Sequence, residues 1–275
     1  MIEVPAGADS VTGTFNYVAR SAEAAVYYKN RPEENVGFES HTMPVHDMRA
    51  FDAPPSLDRE GFLVGHLPFT ADVDEEADEI EARYGPSLRD FVSALTGAPK
   101  IILKKPILRW SDRKPNPDQP NLTASTYVHC DFDRQSFHQI ARDVLGDDPE
   151  RERWLSGRYA VVQTWRALSP PPLDTPLAVI DRRTIDPDDM VRASFVVGPP
   201  GQEQRFENFV YRYNAAHRWA YVSNMTSDDV LVFMGFDSAD DTMTGNPHSS
   251  FEYWRHCAEA KPRRSCETRA FVFWG

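Results

Sequence analysis

From residue 100 onward the chain is a succession of short apolar and aromatic runs divided by turn-rich segments. They are Lys100-Ile101-Ile102-Leu103, Tyr159 to Trp165, Leu177 to Ile180, Phe206 to Tyr213, Trp219 to Val222, Val230 to Phe236 and Thr268 to Trp274. Runs of this length, rich in Val, Ile, Phe, Tyr and Trp and bounded by stretches such as Arg113-Lys114-Pro115-Asn116-Pro117, read as strands. Many strands of this kind predict a mainly β protein with flanking helices and a double-stranded β-helix, or jelly-roll, core. The helices fall in two places. The acidic segment Asp72 to Tyr84 suits a helix start, and after Gly85-Pro86 a second helix is expected over Ser87 to Leu95, with Gly97 as its stop. Together they form a buttress at about residues 70–96, and an inserted helix is expected at about 135–155. No internal repeat or low-complexity linker divides the chain, so residues 1–275 are read as a single domain.

Charge and cysteine usage exclude several classes. A net charge of −12 and a pI near 5.1 argue against a phosphate-backbone partner, which needs a basic face. No apolar run approaches the ~18 residues of a membrane span, and the first residues carry no basic-then-apolar leader. The expectation is a soluble, cytoplasmic protein with neither nucleic acid nor membrane as partner; a homodimer is allowed for. Cys130, Cys257 and Cys266 are too few and too scattered for a disulfide framework or a four-thiolate zinc site. Without a secretory signal, the sequons at Asn121 and Asn224 mean little.

Chemistry enters with Thr126-Tyr127-Val128-His129-Cys130-Asp131. Successive side chains of a strand point to opposite faces, so His129 and Asp131 share one face and Cys130 takes the other. One imidazole and one carboxylate are two parts of a mononuclear non-heme iron site of the two-His, one-carboxylate kind. His248, in Gly245-Asn246-Pro247-His248-Ser249-Ser250, is the best third ligand. An His-x-Asp tripeptide also arises by chance, and either residue could be a hydrogen-bonded core or surface residue. Near the C-terminus, Arg263, Ser265, Glu267 and Arg269 would share a strand face, with Arg264, Cys266 and Thr268 on the other. A planar guanidinium binds a carboxylate through two parallel hydrogen bonds, which makes Arg263 the first choice to anchor a dicarboxylate. A structural Arg–Glu pair is the competing reading, and Arg264 and Arg269 are alternative anchors.

An ordered series of motifs then carries a family resemblance: Val128-His129-Cys130-Asp131; Gln163-Thr164-Trp165-Arg166; Pro176 to Asp181; His217-Arg218-Trp219-Ala220-Tyr221; Phe236-Asp237-Ser238; Pro247 to Phe251; and Pro262 to Arg269. In these the chain resembles the CmcJ/NvfI-like Fe(II)/2-oxoglutarate oxygenases, which include gibberellin desaturase and AsaB-like enzymes. The likeness runs from roughly residue 45 to the end and is strongest after residue 126. It implies Fe(II), 2-oxoglutarate and O2 as cofactors, His129, Asp131 and His248 as iron ligands, and Arg263 and Arg269 as the cosubstrate grip. Members usually show Asn where this chain has Gln163, a further cosubstrate contact with a longer arm. The pattern also contains His217, a rival ligand more at home in the core or orienting a true ligand. The implied activity is oxidation of a small-molecule intermediate, by hydroxylation, desaturation, cyclisation or peroxidation, in secondary metabolism. Two readings from other classes stand beside it: a cofactor-free hydrolase or lyase using His129 and Asp131 as acid and base, and a non-catalytic binding barrel. His41, His46, His66, His138 and His256 are expected to pack or face solvent, and Asp186 to Asp189 to form a solvated turn.

Overall fold

The computed structural model describes residues 9–22, 25–28, 37–113, 123–197, 201–240, 245–255 and 257–275. The chain order among these is β1 (Ser10–Val18), β2 (Ala25–Tyr28), β3 (Phe38–Asp47), β4 (Phe62–His66), α1 (Ala77–Thr96), β5 (Lys100–Leu103), β6 (Ile107–Trp110) and β7 (His129–Cys130). Then follow α2 (Arg134–Leu145), α3 (Arg151–Ser156), β8 (Tyr159–Ala167), β9 (Leu177–Ile180), β10 (Met190–Val197), β11 (Gln204–Tyr211), β12 (Trp219–Tyr221), β13 (Asp229–Asp237), β14 (His248–Ser250) and β15 (Arg264–Phe273). The strands form two sheets, in the orders β1-β3-β12-β9-β14-β7-β11-β10-β2 and β4-β13-β8-β15-β5, with β6 also pairing with β15. The curled, facing sheets are those expected of a jelly roll.

The nine-stranded sheet is not flat. Single bridges from Asn16 to Tyr127 and from Val18 to Arg212 bring β1 back beside β7 and β11, so part of the sheet rolls around its own apolar core. Phe15 stacks on Trp219 there with ring centroids 3.8 Å apart, and Val128, Cys130, Ile180 and Phe251 join them. The alternation of a strand does the rest: Cys130 points into this roll, and His129 points the other way.

The six-stranded sheet buries both faces. Its outer face (Ala160, Val162, Val232, Ala270, Val272) lies under Ile80, Tyr84, Leu88 and Val92 of α1. Those four recur every fourth residue, one apolar stripe worth about 1.5–3 kcal/mol per fully buried large side chain. That stripe runs straight past Pro86, so the expected pair of helices is one helix of 20 residues. Packing on both sides of the proline outweighs its missing N–H, while Gly97 at φ 66° ends the helix as expected. The reverse holds for the expected helix at 135–155. It is two helices, α2 and α3, because Gly146 takes φ 54° and Pro149 follows close behind. Both close one end of the inter-sheet space, with Phe137, Leu145 and Trp154 against Phe236 and Phe273.

Candidate metal centre

Between the sheets, three side chains converge. β7 runs antiparallel to β14, and their one paired position sets His129 directly opposite His248. The ring centroids are 4.5 Å apart. Asp131 follows two residues on from His129, its Oδ1 3.6 Å from the His129 Nε2. One ligand atom from each of the three lies within 4.8 Å of the others, the single such cluster among the described residues.

Both imidazoles are oriented in the same way. His129 Nδ1 is 2.8 Å from the Tyr127 carbonyl, and His248 Nδ1 is 3.1 Å from the Asn246 carbonyl. A carbonyl only accepts, so each Nδ1 carries the proton and each Nε2 keeps a lone pair toward the shared space. Burial, and then the neighbouring His248, push the His129 pKa down to about 3, so it is a neutral ligand at ordinary pH. Burial by itself would raise the pKa of Asp131, but the Arg269 guanidinium overrides it, with help from both imidazoles and Arg109, and holds the carboxyl well below the usual carboxylate range. Arg269 Nη2 donates to Asp131 Oδ2 at 2.8 Å, leaving Oδ1 on the histidine side. Two imidazole lone pairs and one carboxylate oxygen, presented from one side, fit the donor set of a mononuclear iron site.

Arg263, just before β15, and Glu267 and Arg269 within it are turned toward the site, with Ser265 on the same strand face, while Cys266 packs outward beneath α1. The three arginines differ sharply. Arg264 faces away, 3.0 Å from Asp74. Arg269 is occupied by Asp131 and, at 3.2 Å, by Glu267. Arg263 lines a narrow cleft that also touches His129 and His248. It is 2% exposed, donates from Nη1 to the Thr175 carbonyl at 2.7 Å, and its buried Nε has no hydrogen-bond partner. Burial, then repulsion by Arg109, lower its pKa to about 10, so it stays a cation at neutral pH. Gln163 sits between Arg269 and Phe233 as a cross-strand neighbour of both. Its amide is fully buried with both polar atoms unpartnered, although it is not on the wall of the cleft.

A larger cavity of about 420 Å³ opens from the same centre, between the β10–β11 hairpin, the start of α2 and the segment leading into β7. Tyr127, Phe132, Phe195 and Phe206 give it aromatic walls, and His129, Asp131 and Arg269 its floor. That size lies within the usual range for small-molecule sites.

The remaining histidines lie apart. His217 accepts at Nδ1 from Tyr17 (3.1 Å) and donates from Nε2 to Asp189 (3.1 Å), deep in the rolled core. Asp189 also accepts from Asn214, so it is buried and bonded, and the solvated turn expected over Asp186 to Asp189 ends one residue short of it. His41 stacks on Tyr213, His138 bonds the Tyr159 hydroxyl, and His46 and His66 belong to β3 and β4. His256 and most of the segment Arg113 to Asn121 lie outside the described residues. Sequence reading does not find the carbonyls of Tyr127 and Asn246 as orienting groups, since a backbone acceptor leaves no residue signature. It also passes over Arg109, which lines both cleft and cavity and pairs with Glu267 at 3.4 Å.

Comparison with known proteins gives a consistent result. A family model described as an oxidoreductase/YMDC permease-like domain matches residues 15–273. No helix among the described residues is long and apolar enough to cross a membrane. The Fe(II)/2-oxoglutarate-dependent dioxygenase nvfI of Aspergillus novofumigatus is 28% identical over 267 residues, covering 91% of each chain. The hydroxylase/desaturase CTB9 of Cercospora beticola is 30% identical over 259 residues, covering 86% of this chain and 78% of its own. A solved structure of the iron and alpha-ketoglutarate-dependent endoperoxidase NvfI superposes with a TM-score of 0.81 at 25% identity, covering 97% of this chain and 99% of that one.

Proposed function

Because this chain belongs to the oxidoreductase/YMDC permease-like family, and with it to the NvfI-like Fe(II)/2-oxoglutarate-dependent oxygenases, we propose that His129, Asp131 and His248 hold its Fe(II) and that Arg263 anchors the cosubstrate. The enzyme is a dioxygenase of secondary-metabolite type, requiring Fe(II), 2-oxoglutarate and O2. Bound iron and 2-oxoglutarate supply the oxidising power for attack on an unactivated C–H bond, with succinate and CO2 as co-products.

The convergence of three ligand atoms within 4.8 Å carries the assignment. The protein's own part is placement. The Tyr127 and Asn246 carbonyls fix both imidazole tautomers, and Arg269 ties down one oxygen of Asp131, so the ligand set is preorganised rather than gathered by the ion. Arg263 offers an unsatisfied buried donor on the wall of the cleft, suited to the distal carboxylate of a dicarboxylate. Arg269 sits behind Asp131 and supports it, with Gln163 as the cross-strand neighbour of Arg269. The wide cavity takes the substrate, a small molecule with an apolar body, and its aromatic walls keep water from the reacting carbon. We read residues 1–275 as one cytoplasmic domain with no nucleic-acid or membrane partner, consistent with cysteines that are all free thiols.

Anaerobic titration tests this reading. Fe(II) should bind at one equivalent, and 2-oxoglutarate should then add a weak visible charge-transfer band. Asp131→Ala should lose both ion and band while keeping a cooperative melt. Full metal binding by that variant would refute the ligand assignment.

A further inference from the structure

Resting on the oxygenase reading, we propose that Asn208 selects the substrate, and that the substrate class is an uncharged, largely apolar molecule carrying a hydroxyl or N–H donor near the carbon to be oxidised. β11 pairs with β7 through Phe209 opposite Cys130 and Val210 opposite His129. Phe209 and Cys130 therefore face the rolled core, and Asn208, one residue earlier, joins Asp131 on the cavity wall.

Asn208 is 5% exposed, and its Oδ1 has no hydrogen-bond partner among the described residues. Its neighbour across the other strand pair is Ala193, whose methyl offers no donor. A buried amide oxygen left unsatisfied costs about 1–3 kcal/mol, so its partner is expected to come from outside the chain.

Charge supplies the other half of the argument. Of the ionised groups on the cavity wall, Asp131 pairs with Arg269 at 2.8 Å, and Arg269 and Arg109 both pair with Glu267 of the adjoining cleft, at 3.2 and 3.4 Å, while Arg205 lies at the exposed rim. Glu207 accepts from Ser194 at 2.7 Å. A charged substrate group pushed this deep would have to break one of these pairs. Toward the mouth, the cross-strand pair Phe195 and Phe206, the latter 49% exposed, offers flat apolar surface instead. Apolar walls, charges that are paired in the depth and one unpartnered amide define a guest that is neutral, greasy and able to donate to the amide oxygen at one point. Sites built around such a buried polar atom reject analogues that lack its partner far more strongly than apolar pockets reject a change of shape.

The test uses matched pairs of neutral polycyclic compounds, each an alcohol or secondary amide and its O-methyl or N-methyl derivative, assayed by the succinate they elicit from the Fe(II)-loaded enzyme. Succinate formed without any added compound reports on the oxygenase reading alone. The ratio within each pair reports on Asn208, because a general loss of activity cancels in it. The wild type should favour the donor-bearing member by about tenfold, which is about 1.4 kcal/mol. Asn208→Asp, still an acceptor, should keep that preference, and Asn208→Leu should reduce it to less than about twofold. Equal rates within pairs for the wild type, a preference surviving in Asn208→Leu, or stimulation by no neutral compound would each overturn the proposal.

Discussion

At the scale of single residues, Arg263 just ahead of β15 and Arg269 within it divide the work between arginines of opposite circumstance. Arg269 is ion-paired with Asp131 and Glu267, whereas Arg263, also buried, makes no ion pair among the described residues. Their substitutions should therefore separate. Arg263→Ala should raise the 2-oxoglutarate concentration for half-maximal succinate formation by roughly 10–100-fold, the loss of one or two charge-assisted hydrogen bonds, with metal affinity kept. Arg269→Leu should weaken Co(II) or Fe(II) binding by roughly 10–100-fold in calorimetry, since the freed Asp131 carboxylate can turn away from the imidazoles. The same weakening from both variants would show that the division is wrong. Strand alternation alone put His129 and Asp131 on one side and Cys130 on the other, and it sorted Arg263 and Arg269 from Arg264. It could not tell Arg263 from Arg269, which share a face and a chemistry and differ only in what the opposite sheet brings near them.

At the scale of elements, the strands richest in β-branched and aromatic residues were legible and the short ones were not. β8, β9 and β13 stand out as apolar runs, but β7 and β14 contribute only His129–Cys130 and His248–Ser250, and no local propensity marks strands that short. They exist because longer neighbours, β9 and β11, supply partners. α1 shows the converse, a helix whose proline hid its continuity until the sheet beneath it was known. What brings β14 into place is a close passage of backbone. A Cβ on Gly245 would fall 2.1 Å from the Gly235 carbonyl oxygen and 2.5 Å from its carbon, and no flexible side chain is there to yield. Immediately after it, Asn246 clamps the segment through Nδ2 to the carbonyls of Glu60 and Ile180, at 2.9 Å each. Gly245→Ala should push this segment outward and carry His248 with it. Loss of metal affinity together with at least about 2 kcal/mol of stability in urea titration is expected, the scale of steric strain in a packed interior; an unperturbed metal isotherm would count against the clamp.

At the scale of the whole molecule, stability should depend on pH through a histidine that has nothing to do with catalysis. The imidazole of His217 lies in the rolled core, where burial lowers its pKa from the ordinary 6.5 although Asp189 pulls the other way. The folded protein thus resists a proton that the unfolded chain accepts, and stability is full above about pH 6.5 and declines as pH falls below it. Between about pH 7.5 and about 5.5 the melting temperature of metal-free protein should drop, and His217→Gln should make that drop shallower; an unchanged slope would place the titrating group elsewhere. His217 is expected in the core, but the network it joins, Trp219 to Tyr17 to His217 to Asp189, could not be foreseen, because its members come from strands and turns far apart in the chain and meet only when the sheet curls. The opposition of His129 to His248 joins an early strand to a late one in the same way, and Asp131 is tethered in turn to the facing sheet. A cation seated there would staple two strands of one sheet that lie far apart in the chain, while the Arg269–Asp131 pair holds that sheet to the facing one; a chelator should therefore lower the melting temperature of the loaded protein by mass action and leave the seam between the layers standing.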